Sequence, residues 1–160
     1  MPAGEVSLWR IAKDTTEYKA DDLSGGGAKV TGGRWNSKGR PVLYASASIA
    51  LATLETLVHR GDNLAIRNAF LVRLTVPQSV WKLRDQVNAD ELEPTWLAEP
   101  AGSATILLGD SWLDRVGSPL LMVPSVIVPE EFNVLVNPAH PVASRIKAAV
   151  VRQFVYDPRL

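Results

Sequence analysis

The chain contains no cysteine, which excludes disulfides, zinc–thiolate centres and cysteine nucleophiles. Its only histidines are His59 and His140, too few for a histidine metal cluster, and no metal is expected. Charge of either sign is not in excess: 17 basic and 17 acidic side chains cancel. No broad basic field is therefore present to hold nucleic acid directly. No apolar run approaches the ~20 residues that span a bilayer. The opening residues, with Glu5 among them and no apolar core, do not read as a secretory signal. A cytoplasmic location is expected. No internal repeat is found at solenoid periods.

What is present is ordinary globular material: 160 residues, 46 % hydrophobic and 21 % charged. One domain over residues 1–160 is expected, since a chain of this size buries about 70 % of its surface on folding. Val6–Ala12 reads as a first strand, with Trp9 and Ile11 opposite Leu8 and Arg10. Residues 13–33 are polar and glycine-rich and read as a long loop, of the kind that is often functional. Pro41–Ser46 fits a strand. Ser46 or Ser48 can then cap a helix to about Arg60, stopped by Gly61, with Ala47, Ala50, Leu51, Leu54, Leu57 and Val58 as its apolar stripe.

Ala69–Val76 is the clearest strand, ended by Pro77, and Val80–Arg84 reads as another. Residues 85–102 carry little signal. Ser103–Val116 reads as a helix before Gly117. Leu120–Val123, Val126–Val128 and Val134–Val136 are short apolar pieces between prolines, and Ala149–Tyr156 alternates as a closing strand. Six or seven short strands with two or three irregularly placed helices predict an α+β fold with mixed, mainly antiparallel sheets.

Several residues could carry chemistry. In Gly32-Gly33-Arg34-Trp35-Asn36-Ser37-Lys38-Gly39-Arg40, glycines admit close backbone approach, Arg34 can clamp phosphate and Trp35 offers a stacking face. The same residues also suit a plain exposed turn, and no P-loop spacing is present. Tyr44 ends a strand and either stacks on a planar ring or simply packs. Glu55 lies at the edge of an apolar helical stripe, with His59 four residues on. It either pairs with His59 or Arg60, or faces a cleft and a sugar or a developing cation. Ser125 lacks the Gly-x-Ser-x-Gly elbow of hydrolases, which leaves a ligand hydrogen bond or a turn cap. Asn133, Asn137 and His140 sit in a segment with Asn-Pro and His-Pro turn signals. Arg10, inside a strand, needs a core carboxylate or a phosphate-bearing ligand.

The ordered series Leu-Trp-Arg, Leu-Ser-Gly-Gly-Gly-Ala, Gly-Gly-Arg-Trp-Asn-Ser-Lys-Gly, Val-Leu-Tyr-Ala-Ser, Ala-Leu-Ala-Thr-Leu-Glu, Gly-Asp-Ser-Trp-Leu, Val-Pro-Ser and Asn-Pro-x-His-Pro resembles the RES-domain toxins. That family is named for an arginine, a glutamate and a serine, here Arg34, Glu55 and Ser125. The resemblance runs from about residue 8 to 157, with residues 77–102 the least similar. It implies a fold like that of the diphtheria-toxin type of ADP-ribosyltransferase. It also implies NAD+ as substrate, with cleavage of the nicotinamide–ribose bond and transfer to water, phosphate or a protein such as phosphoribosyl-pyrophosphate synthetase. The implied partner is a helix-turn-helix (Xre-like) antitoxin that forms a hetero-oligomer and blocks the site.

On this resemblance Glu55 would face the ribose cation. Arg34 and Arg10 would grip the pyrophosphate, Tyr44 would stack, and Ser125 would orient the ribose or Glu55. Trp35, Asn36 and His140 are further binding candidates. A ribonuclease toxin and a non-catalytic nucleotide-binding module are the rival readings.

Overall fold

The computed structural model describes residues 4–58 and 68–160. The expected helix end at Arg60–Gly61, and His59, lie outside the described residues. A seven-stranded sheet organises the chain: β1 (Val6–Lys13), β2 (Leu43–Ser46), β3 (Ala69–Val76), β4 (Asp85–Gln86), β5 (Leu120–Pro124), β6 (Phe132–Val136) and β7 (Lys147–Gln153). The spatial order is β4-β5-β6-β2-β1-β3-β7. Every neighbouring pair is antiparallel except β4 with β5. The expected α+β architecture is therefore the observed one.

Period-two alternation places the side chains. Leu8, Leu43, Ala45, Val72, Leu74, Val134 and Val136 share one face and form the main core with Val80 and Ile146. On the opposite face Leu121, Val123 and Leu135 pack with Trp35 and Trp112, while Trp9, Ile11 and Leu71 pack with Leu57, Phe154 and Tyr156. That second face carries α2 (Ile49–Val58) and α4 (Ser103–Arg115).

One junction shapes the molecule. β1 pairs with β3 along its whole length, from Val6↔Val76 to Lys13↔Ala69. Against β2 it pairs only at Trp9↔Ser46. Beyond that point the two strands part, so the sheet opens between Arg10–Lys13 and Leu43–Ala45. The Arg10 side chain reaches across, Nη1 donating to the Tyr44 carbonyl at 3.2 Å.

Several local expectations are corrected. The long loop contains a short helix, α1 (Gly26–Thr31), behind Gly25 at φ 73°. Val80–Arg84 is not a strand: Gln78–Trp81 forms one turn of helix, α3, because Pro77 starts it and its carbonyl takes the Val80 and Trp81 amides. Val126–Val128 is a turn, since Ser125 Oγ accepts from the amides of Ile127 and Val128, both at 3.1 Å. The last strand begins earlier than its alternation suggests and ends at Gln153. Ser48, not Ser46, caps α2, accepting from the Leu51 amide at 3.1 Å. Of the α2 stripe, Leu51 is buried, whereas Ala47, Ala50, Leu54 and Val58 are exposed.

Candidate active site

The opening between β1 and β2 continues into a cleft of about 780 Å³, within the usual range for small-molecule sites. β1 supplies Arg10 and Lys13, the following loop supplies Tyr18, Lys19 and Asp22, and α1 presents its first glycines. Arg34 and Trp35 come from the glycine turn, Tyr44 and Ser46 from β2, Glu55 from α2 and Asn133 from β6. Among the described residues four cationic side chains line the cleft beside two carboxylates, with Arg34 also paired to Glu99 outside it.

Glu55 stands where α2 crosses the end of β2. Its Oε1 accepts from Ser125 Oγ at 2.7 Å and from Asn133 Nδ2 at 2.9 Å. Among the described residues Oε2 accepts no hydrogen bond. The carboxylate is therefore fixed through one oxygen and offers the other. Ser125 is fully buried and does not line the cleft, although its neighbours Pro124 and Val126 do. It donates to Glu55 and caps its own turn at once, so of the two roles open to it in the sequence the turn cap is the one seen.

Arg10 is deeply set. Burial lowers its guanidinium to about 10, only partly offset by Asp22. Its Nε is buried without a hydrogen-bond partner. A buried donor left unmatched is costly.

The glycine turn is built as a rigid unit. Tyr44 Oη donates to Asn36 Oδ1 at 2.6 Å and accepts from the Trp35 amide at 3.1 Å. Burial raises the Tyr44 phenol above its usual range, so it stays a donor. Asn36 is buried, and its Nδ2 donates to the carbonyls of Ala28, Ser37 and Arg40. Asp110 accepts from the Ser37 amide at 2.9 Å and from its Oγ at 2.6 Å, and Arg40 grips Asp114 through both terminal oxygens at 2.9 Å. A Cβ on Gly33 would lie 2.7 Å from Tyr44 Oη, which is why glycine stands there.

Not every candidate reaches the cleft. Asn36 lies beneath it with its amide fully used. Trp35 borders the cleft but is 3 % exposed and packs on Trp112, so its face is spent on the core. Arg34 borders it too, yet its Nη1 donates to the carbonyls of Trp96 at 3.0 Å and Ala98 at 2.8 Å, and its Nη2 pairs with Glu99 at 2.8 Å. His140 is elsewhere: its Nδ1 accepts from the Val142 amide at 3.2 Å, and it lines a separate hollow of about 340 Å³. The Glu55 partners proposed at His59 and Arg60 lie outside the described residues. Asn133 was legible only as part of a turn-rich segment. Its register opposite Ser46 could not be read from a single sequence.

A family model for the RES domain matches residues 7–157. The chain belongs to the RES-domain family of toxins. It is 51 % identical over 155 residues to a Prs ADP-ribosylating toxin of Sphingobium sp. (strain YBL2), covering 97 % of this chain and 96 % of that one. It is 36 % identical to a toxin Res of Yersinia enterocolitica, covering 97 % of this chain and 99 % of that one. The crystal structure of the Mycobacterium tuberculosis MbcT–MbcA toxin–antitoxin complex contains a chain of similar fold, with a TM-score of 0.67 at 15 % identity. That likeness covers 93 % of this RES chain and 85 % of the other. Among the described residues no cluster of three or more histidine, aspartate or glutamate side chains is placed to hold a metal ion, and no helix is long and apolar enough to cross a membrane.

Proposed function

We propose that this RES toxin binds NAD+ in the cleft, breaks the bond between nicotinamide and ribose C1′, and passes ADP-ribose to an acceptor in the cytoplasm. The observation that carries the reading is Glu55: a carboxylate pinned through one oxygen, with the other offered to a cleft rich in cations. Nicotinamide is already cationic in NAD+ and leaves neutral, so its departure needs no general acid. The difficulty is the positive charge that develops at C1′, the same problem that glycosidases meet. A fixed carboxylate facing that carbon stabilises it electrostatically, and its free oxygen can accept from the ribose 2′-hydroxyl.

Arg10, which lines the cleft, would grip the pyrophosphate, aided by Lys13 and Lys19. Arg34 would join that grip by giving up its contact with the exposed Glu99 carboxylate. Tyr44 borders the cleft with its ring while its hydroxyl holds the glycine turn in place.

For the acceptor we favour a protein, Prs, because the 51 % identical relative is named for ADP-ribosylating it. Water and phosphate are the other acceptors. A helix-turn-helix antitoxin that covers the cleft completes the proposed system, supported by the fold shared with a toxin of a toxin–antitoxin complex.

Purified toxin, freed from antitoxin, is incubated with NAD+ labelled in the adenylate half, with and without Prs and with and without phosphate. Nicotinamide release together with a labelled Prs band supports transfer to protein. Release without Prs names water or phosphate as acceptor. NAD+ that binds yet stays whole in every mixture would leave a non-catalytic nucleotide-binding module.

A further inference from the structure

Asn133 stands near the start of β6, between β2 and β5, opposite Ser46 on one side and Val123 on the other. In an antiparallel ladder, directly opposed residues project to the same face. Asn133 and Ser46 therefore emerge side by side beneath α2, next to Glu55. Ser46 is buried, and its Oγ donates to Asn133 Oδ1 at 2.7 Å. That bond sets the orientation of the amide: Oδ1 is held by Ser46, so Nδ2 faces Glu55 Oε1 at 2.9 Å. A short side chain that must accept from a hydroxyl and donate to a carboxylate, without charge of its own, is asparagine.

We propose that Asn133, oriented by Ser46, is a positioning residue of the NAD+-cleaving site, which holds the Glu55 carboxylate turned so that Oε2 faces the ribose. This rests on the reading of the cleft given above. Ser125 alone would leave the carboxylate free to swing about a single hydrogen bond. Two donors converging on one oxygen from different strand ends fix its plane. Both are neutral, so neither brings a positive charge that would offset the carboxylate facing the cation at C1′.

The decisive variant is Asn133→Asp, which keeps the shape and replaces the donor by a second carboxyl group against Oε1. Two carboxyl groups at that distance repel when both are ionised, so the pair holds a proton to higher pH than either group would alone. At acid pH the introduced carboxyl group donates to Glu55 as the amide did. As pH rises the proton leaves, and repulsion turns Glu55 away. Among the described residues the other titratable groups of the cleft are Arg10 and Lys13 of β1, Tyr18, Lys19 and Asp22 of the following loop, Arg34 of the turn and Tyr44 of β2. All of them are common to both proteins.

Nicotinamide release is followed from pH 5 to 9 for the unaltered toxin, Asn133→Asp, Asn133→Ala and Ser46→Ala, each checked for its melting temperature. The inference expects Asn133→Asp to be near full activity at the acid end and to fall about 10- to 100-fold toward the alkaline end, while the unaltered toxin does not follow it. Asn133→Ala should lose a similar factor in kcat at every pH with KM for NAD+ within twofold. Ser46→Ala should lose less. A profile for Asn133→Asp parallel to that of the unaltered toxin, or an Asn133→Ala effect confined to KM or to melting temperature, would overturn it. An unaltered toxin that releases no nicotinamide would instead overturn the reading of the cleft itself, and this inference with it.

Discussion

Glu55→Gln preserves the shape of the side chain, its place on α2 and its acceptor oxygen, and removes the charge. If the carboxylate stabilises the ribose cation, the rate should fall by roughly 10²–10⁴, about 3–5 kcal/mol of transition-state stabilisation. NAD+ binding measured by titration should change little. A loss below tenfold would assign the electrostatic work elsewhere. Arg10 gives a second test at this scale. Burial lowers it to about 10, so its positive charge is complete near neutrality and is lost as pH climbs through that value. Affinity for NAD+ should weaken as pH climbs through about 10, and weaken less in Arg10→Gln. Equal alkaline weakening in both proteins would take the pyrophosphate away from Arg10. Single residues were the part of the site most legible in the sequence. An arginine inside a strand and a glutamate on an apolar helix each require a partner, and each has a distinctive environment in the fold. Their partners were less legible, because Ser125 and Asn133 lie 70 and 78 residues from Glu55 along the chain.

The glycine turn, β2 and α4 work as one element, and the contact between them is steric. A Cβ on Gly109 of α4 would overlap the Trp35 carbonyl, so the helix can approach the turn only without a side chain at that point. Gly109→Ala should destabilise the protein by about 1–3 kcal/mol through overpacking, despite the better helix propensity of alanine. A melting temperature lower by roughly 2–4 °C per kcal/mol is the expected reading. An unchanged value would mean that turn and helix are not packed this closely. Tyr44→Phe addresses the same unit from the strand side. It leaves the Trp35 amide and Asn36 Oδ1 without the hydroxyl that joins them, at a cost of about 1–3 kcal/mol. NAD+ cleavage should then fall because the turn loosens, and a stable variant with full activity would restrict Tyr44 to packing. At this scale the sequence was legible where periodicity was long, as in β1, β3 and α4. It misled where a few residues were governed by a proline or a serine. Pro77 starts a helical turn where branched residues suggest a strand, and Ser125 folds Val126–Val128 into a turn. The exposed half of the α2 stripe was illegible for another reason: a helix apolar on most sides does not reveal which side the sheet covers.

For the molecule as a whole, the α+β class followed from many short strands with irregularly spaced helices. The feature that creates the site did not. β1 and β2 read as two ordinary strands, and nothing local records that they pair at Trp9↔Ser46 and then separate. That separation is a property of the whole sheet. β3 holds β1 along its length on one side and β6 holds β2 on the other, so the gap between them opens into the cleft. It brings Arg10, Tyr44 and Glu55 to one opening, with Ser125 and Asn133 behind the carboxylate, and leaves His140 in a different hollow. On the proposed reading NAD+ is cleaved in this opening and Glu55 drives the cleavage. The measurement that tests it most directly is nicotinamide release followed by NMR, for the purified toxin and for Glu55→Gln, with Prs and phosphate supplied. The account predicts release by the unaltered protein and a loss of at least roughly a hundredfold in the variant. Equal release by both proteins, or none by a folded toxin free of antitoxin, would contradict it.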